Sequence, residues 1–229
     1  MDFLAMVSAL SPLAIRAFTD GSSYGNPGPA GYGLYVFHAS DPTFPPIHHS
    51  VQLGHASNNE AELRGLLFAL DTIIGICQSA ALPRPLPHVQ IFIDSTYALD
   101  SALGKTHPKL HQSTIRAIHD SLSALRLITP TNLFWVPGHA KIPEQEITDL
   151  LAKRGAKGCT SSTPPTALEI AAHAAPEAHR PPPRPGAERK LSLSLSSQAQ
   201  QPGPPARRSA RHLSRTNRLS FNGVDYSLR

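Results

Sequence analysis

The chain has 229 residues, 40% of them apolar, with 23 prolines and a formal net charge of +5. This length allows one sizeable domain with an appended segment, and the apolar share suffices for a packed core. No run approaches the roughly 20 apolar residues of a membrane span. The cysteines, Cys77 and Cys159, lie too far apart for a zinc spacing or a disulfide framework, so a reducing compartment, cytoplasm or nucleus, is expected.

Residues 1–12 read as a lead-in. They carry an acid at position 2, no basic n-region and Pro12, which fits a signal peptide poorly. Residues 13–19 form an apolar run predicted as a strand ending at Asp20. Residues 21–29, rich in Gly, Pro, Asn and Ser, read as a turn. Strands are predicted over 31–38 and 47–53, close enough in sequence to make an antiparallel meander. Ser57-Asn58-Asn59-Glu60 has the Ser-x-x-Glu form of a capping box, with Ser57 as N-cap and Glu60 at the third helical position. Leu63, Leu66, Leu67, Leu70, Ile73 and Ile74 then recur at helical spacing.

Pro83, Pro85 and Pro87 break the chain before a short buried-type strand, 89–93, that ends at Asp94. A helix is predicted over about 110–127 and a strand over 133–136. A last helix, from Pro143 to about 157, carries acids in its first turn and Lys/Arg in its last. The order predicts an α/β fold: a five-stranded mixed sheet, three strands antiparallel and then two parallel, with helices on both faces.

Residues 159–229 differ in kind. They hold ten of the prolines, one Phe, one Tyr, and ten Lys/Arg against four acids, a net of +6, whereas residues 1–158 carry 11 against 12. So little apolar surface cannot offset the entropy of ordering, and the segment reads as a disordered basic tail. Such a tail suits loose contact with nucleic-acid phosphates, or serves simply as a solvated tail or a nuclear-import signal. The expected organisation is therefore 1–12 lead-in, 13–158 domain and 159–229 tail.

Asp20 and Asp94 each follow an apolar strand. If those strands are neighbours, both carboxylates emerge at the same sheet end, where ligand sites of open α/β sheets lie. Adjacent carboxylates repel and are stable together mainly around a cation. Hard oxygen donors select Mg²⁺ or Mn²⁺.

The run Phe18-Thr19-Asp20-Gly21-Ser22-Ser23-Tyr24-Gly25-Asn26-Pro27-Gly28-Pro29-Ala30-Gly31-Tyr32-Gly33 resembles the first block of the type 1 RNase H family. Asn58-Asn59-Glu60-Ala61-Glu62-Leu63 resembles the second, and Ile93-Asp94-Ser95 the third. Trp135-Val136-Pro137-Gly138-His139-Ala140, followed by Asp149 and Leu151-Ala152, resembles the fourth. The blocks stand in order with family-like gaps from about residue 15 to 157.

The resemblance implies a ribonuclease H-like fold. It also implies an endonuclease that hydrolyses the RNA strand of RNA–DNA hybrids and leaves 5′-phosphate and 3′-hydroxyl ends. Asp20, Glu62, Asp94 and Asp149 correspond to the four carboxylates that bind two Mg²⁺. One ion is expected to activate a water and the other to stabilise the leaving 3′ oxygen. Helical geometry does not choose between Glu60 and Glu62; the family motif, with the acid directly before Leu, selects Glu62. His139 corresponds to the loop histidine that assists proton transfer or product release. Gly21, Ser22, Asn26, Asn58 and Asn59 match positions near the two strands, although Asn58 and Asn59 also suit a plain first helical turn. Thr96 stands where a Gln is frequent, and Gln145 where an Asn precedes the last carboxylate; both are expected to tune substrate contact. A hybrid is read through groove width and 2′-hydroxyls, so sequence specificity should be low. A monomer without membrane association is expected.

The basic, Trp-rich protrusion of many bacterial members and the N-terminal hybrid-binding module of many eukaryotic ones have no counterpart in this sequence. The compact connection is similar to RNase H domains of non-LTR retrotransposons. The alternative class is a non-catalytic, retroelement-derived nucleic-acid-binding module. A DDE-type transposase on the same fold leaves the Asn-Asn-x-Ala-Glu block and the Gly-His-Ala loop unexplained.

Overall fold

A computed structural model of the chain describes residues 11–79, 82, 85–138 and 142–174, together with the strands Arg218–Phe221 and Val224–Ser227. The chain divides into two units, Met1–Arg180 and Pro181–Arg229.

In the first unit the apolar runs form five strands: β1 (Ala14–Ser23), β2 (Gly28–His38), β3 (Ile47–Ala56), β4 (His88–Ile93) and β5 (Thr131–Trp135). They join in one sheet of order β3-β2-β1-β4-β5. The β1–β2 and β2–β3 pairings are antiparallel, and β1–β4 and β4–β5 are parallel. This is the mixed sheet expected from the sequence. Several strand ends differ from the expected bounds, most informatively the end of β1. The strand does not stop at Asp20 but continues to Ser23, because Gly21, Ser22 and Ser23 go on pairing with Tyr32, Gly31 and Ala30 of β2. The expected nine-residue turn shrinks accordingly.

Alternation along the strands sends side chains to two cores. Ile15, Ala17, Leu34, Ile91 and Ile93 belong to the larger one. Phe18, Phe92, Val136 and Ile142 form the smaller one on the opposite face, with the Phe18 and Phe92 rings stacked at 4.5 Å. Helix α1 (Asn58–Gln78) covers the first face. Its N-cap Ser57 Oγ accepts from Glu60 N–H at 3.2 Å, as the capping box predicts. Leu63, Leu66, Leu70, Ile73 and Cys77 are fully buried at spacings of three and four, each such large apolar side chain contributing about 2 kcal/mol.

A short helix α2 (Thr96–Ala102) follows β4, with Ser95 Oγ accepting from Ala98 N–H. Helix α3 (Gln112–Ile128) packs on α1 through Ile115, Ile118, Leu122 and Leu125. Helix α4 (Pro143–Ala156), with Glu144 and Glu146 in its first turn and Lys153 and Arg154 in its last, covers the opposite sheet face. It lies so close to β2 that a Cβ on Gly31 would collide with the Gly155 backbone, and one on Gly33 with Thr148 O.

The reading of 159–229 as a disordered tail is corrected for residues 159–174. Ser50 and Ser161 exchange two backbone hydrogen bonds at 2.8 Å. Helix α5 (Ala167–Ala174) follows, docked on α4 by an Arg154–Glu169 ion pair of 2.7 Å. Composition could not reveal this, because the ordering comes from polar partners on the folded domain. In the second unit β6 (Arg218–Phe221) and β7 (Val224–Ser227) pair antiparallel. Residues 1–10 of the lead-in and 175–217, 222–223 and 228–229 of the tail lie outside the described residues.

Candidate metal centre

The parallel ladder between β1 and β4 ends at the pair Thr19–Ile93. The next residue on each strand is an aspartate, so the register alone places Asp20 beside Asp94. Glu62 arrives from the first turns of α1. This close approach of helix to strand depends on Gly21, since a Cβ there would overlap the backbone of Ala61 and Glu62. Ligand oxygens of Asp20, Glu62 and Asp94 all lie within 4.8 Å of one another.

Asp20 and Glu62 are each only 6% exposed. Burial first, and then the charges of Asp94 and Asp149, push the Asp20 carboxyl well above the usual carboxylate range; the Gly21 N–H and Lys153 offset this in part. Burial, Asp20 and Asp94 raise Glu62 in the same way. A compact set of largely buried, mutually repelling hard oxygens is matched to a divalent cation such as Mg²⁺ or Mn²⁺.

Asp149, the fourth carboxylate expected from the sequence, acts electrostatically on Asp20 but does not join the tight triplet. Its Oδ2 accepts from Lys153 Nζ at 2.8 Å and from His173 Nε2 at 3.1 Å. His173 lies in α5, a helix absent from the sequence reading. Its residue type gave no signal among twelve histidines, and its neighbours read as tail.

Two contacts lock the site's frame. Trp135 Nε1–H donates to the Asp94 carbonyl at 3.0 Å, tying the end of β5 to the end of β4. Asn26 Oδ1 accepts from Asn58 N–H at 3.1 Å, tying the β1–β2 hairpin to the start of α1. Of the expected substrate residues, Gly21 is buried, Ser22 and Asn58 are half-buried, and Asn26, Asn59 and Thr96 are exposed. The Asn26–Asn58 bond and the place of Asn59 in the first turn of α1 bring these three asparagines together. Thr96, two residues after Asp94, lines a groove of about 500 Å³ with Tyr97, Asp100, Thr106, His107 and Pro108. Gln145 is corrected: at 3% exposed it is interior and cannot tune substrate contact from the surface. His139 falls outside the described residues.

Residues 13–157 match the sequence model of the RNase H family. The chain belongs to the RNase H family. Ribonuclease H of Yersinia enterocolitica is 30% identical over 157 residues, covering 64% of this chain and 92% of that protein. Ribonuclease H of Edwardsiella ictaluri is 29% identical over 153 residues, covering 62% and 89%. The N-terminal RNase H domain of Rv2228c from Mycobacterium tuberculosis superposes with a TM-score of 0.50 at 26% identity, over 64% of this chain and 95% of that one. The matched RNase H domain therefore includes all four carboxylates and ends before the segment that carries His173.

Proposed function

We propose that the chain is a ribonuclease H that hydrolyses the RNA strand of RNA–DNA hybrids at a site holding two Mg²⁺ ions. The observation that carries this is the convergence of Asp20, Glu62 and Asp94 at the shared end of β1 and β4, within 4.8 Å. The relatives named ribonuclease H support the choice of substrate. Asp149 is the fourth ligand in this reading, from the α4 side.

Divalent ions bound there would polarise the scissile phosphate and lower the pKa of an attacking water, giving 5′-phosphate and 3′-hydroxyl products. The protein's own contribution is positional. Gly21 lets α1 approach closely enough to deliver Glu62. Trp135 holds the backbone of Asp94. Asn26, Asn58 and Asn59, beside the acidic cluster, are the proposed contacts to the hybrid backbone together with Gly21, Ser22 and Thr96. His139 is proposed to move protons or assist product release. A purely binding module would have no use for buried acids that destabilise one another, which favours turnover over the non-catalytic alternative.

The test is cleavage of labelled substrates in Mg²⁺. RNA should be cut only within the hybrid, and EDTA or Asp94→Asn should abolish cutting. Robust cleavage of double-stranded DNA, or undiminished cleavage by Asp94→Asn, would overturn the reading.

A further inference from the structure

We propose that residues 159–174, beyond the matched RNase H domain, form a strap that completes the metal site, with His173 as a positioning residue for Asp149. This rests on the reading of Asp149 as a ligand.

The strap is built along its length. Beyond the Ser50–Ser161 bridge, Ser50 Oγ bonds the carbonyls of Leu151 and Cys159 at 2.8 and 2.9 Å. Thr160 Oγ1 accepts from Gln52 N–H at 3.0 Å, and Ser162 Oγ meets His49 Nδ1 at 2.9 Å. Arg154 reaches the Thr163 carbonyl with one guanidinium nitrogen and Glu169 with another. Thr166-Ala167-Leu168-Glu169 then closes a reciprocal capping box. Glu169 N–H donates to Thr166 Oγ1 at 3.2 Å, and Thr166 N–H donates to Glu169 Oε2 at 2.8 Å. These contacts fix where α5 starts and hence where its last turn ends.

That last turn delivers His173, whose side chain is only 14% exposed, to Asp149 Oδ2 at 3.1 Å and Glu146 Oε2 at 3.6 Å. Facing a carboxylate, Nε2 donates. Lys153 approaches the same Oδ2, so the two donors from the described residues fall on one oxygen. Two directional contacts on one oxygen fix the carboxylate plane and orient the other oxygen. Hydrogen-bond partners of metal-ligating carboxylates act in this way, and their loss typically costs 10–100-fold in metal affinity or activity.

The experiment uses the full chain as wild type, His173→Ala and His173→Gln. Each is titrated with Mg²⁺ without substrate, followed by melting temperature, and assayed on hybrid across Mg²⁺ concentrations. His173→Ala should raise the Mg²⁺ midpoint about tenfold or more in both readouts, while rate at saturating Mg²⁺ changes less. His173→Gln, which retains an N–H donor at a similar reach, should recover most of the loss. An Ala midpoint equal to or lower than wild type overturns the proposal, as does a Gln variant no better than Ala. Should Ala fail to fold in EDTA, the Gln midpoint against wild type decides: a full tenfold loss there refutes the positioning role. A wild type that binds Mg²⁺ with the predicted His173 dependence but leaves hybrid intact faults the nuclease reading alone; one that shows no Mg²⁺ effect overturns both.

Discussion

In the proposed function Asp20 and Glu62 carry the chemistry, and their burial brings a stability cost with it. Their carboxyls stand above the ordinary 3.8 and 4.5 because burial and neighbouring acids penalise the charged forms. The folded state therefore binds these protons more tightly than the unfolded chain. In EDTA, stability should fall as pH rises above the ordinary carboxyl range and through the raised folded values. Mg²⁺ should restore it, with a larger effect at higher pH. Calorimetric melting between pH 4 and 8 with and without Mg²⁺ checks this; a melting temperature in EDTA that does not fall with pH would contradict it. For the same reason Asp20→Asn should raise the melting temperature in EDTA by roughly 2–4 °C per kcal/mol of repulsion relieved, while cutting turnover on the order of 10³-fold or more. At this scale the three clustered acids were legible in the sequence, because each sits in a short block tied to a strand end or a helix start. His173 was not, since its partner Asp149 becomes its neighbour only through the strap.

Among the elements, β1 and α1 meet where no side chain fits. Gly21→Ala would drive a Cβ into the backbone of Ala61 and Glu62, and backbone cannot rotate away. The expected loss is about 2 kcal/mol or more of stability, with reduced activity as Glu62 is displaced; chemical denaturation beside a hybrid-cleavage assay measures both, and a fully stable, active variant would refute the close-packing account. The strand and helix order was readable because apolar periodicity and the Ser57 cap report local geometry directly. The extension of β1 to Ser23 was not, because Gly-rich sequence looks like a turn until a partner strand pairs with it. The separate helix α2 is also too short for periodicity to register; its mark is Ser95, whose cap role is plain only once the Ala98 bond is seen.

For the whole molecule, the charge asymmetry survives a shifted boundary. Residues 159–174 belong with the folded unit, and residues 175–229 carry ten Lys/Arg against three acids. Removing 175–229 should leave cleavage chemistry intact but weaken hybrid binding at low salt. It should also flatten the dependence of log affinity on log salt by about 0.9 for each phosphate that the tail had neutralised. Fluorescence anisotropy across a salt series measures the slope, and an unchanged slope removes the tail from the interface.

The central claim is that Asp20, Glu62 and Asp94, with Asp149, form one divalent-ion site. Anomalous scattering from crystals soaked in Mn²⁺ tests it most directly. The expected result is Mn²⁺ density held by the carboxylates of Asp20, Glu62 and Asp94, with Asp149 contributing. Active crystals saturated with Mn²⁺ and showing no peak at these side chains would contradict it.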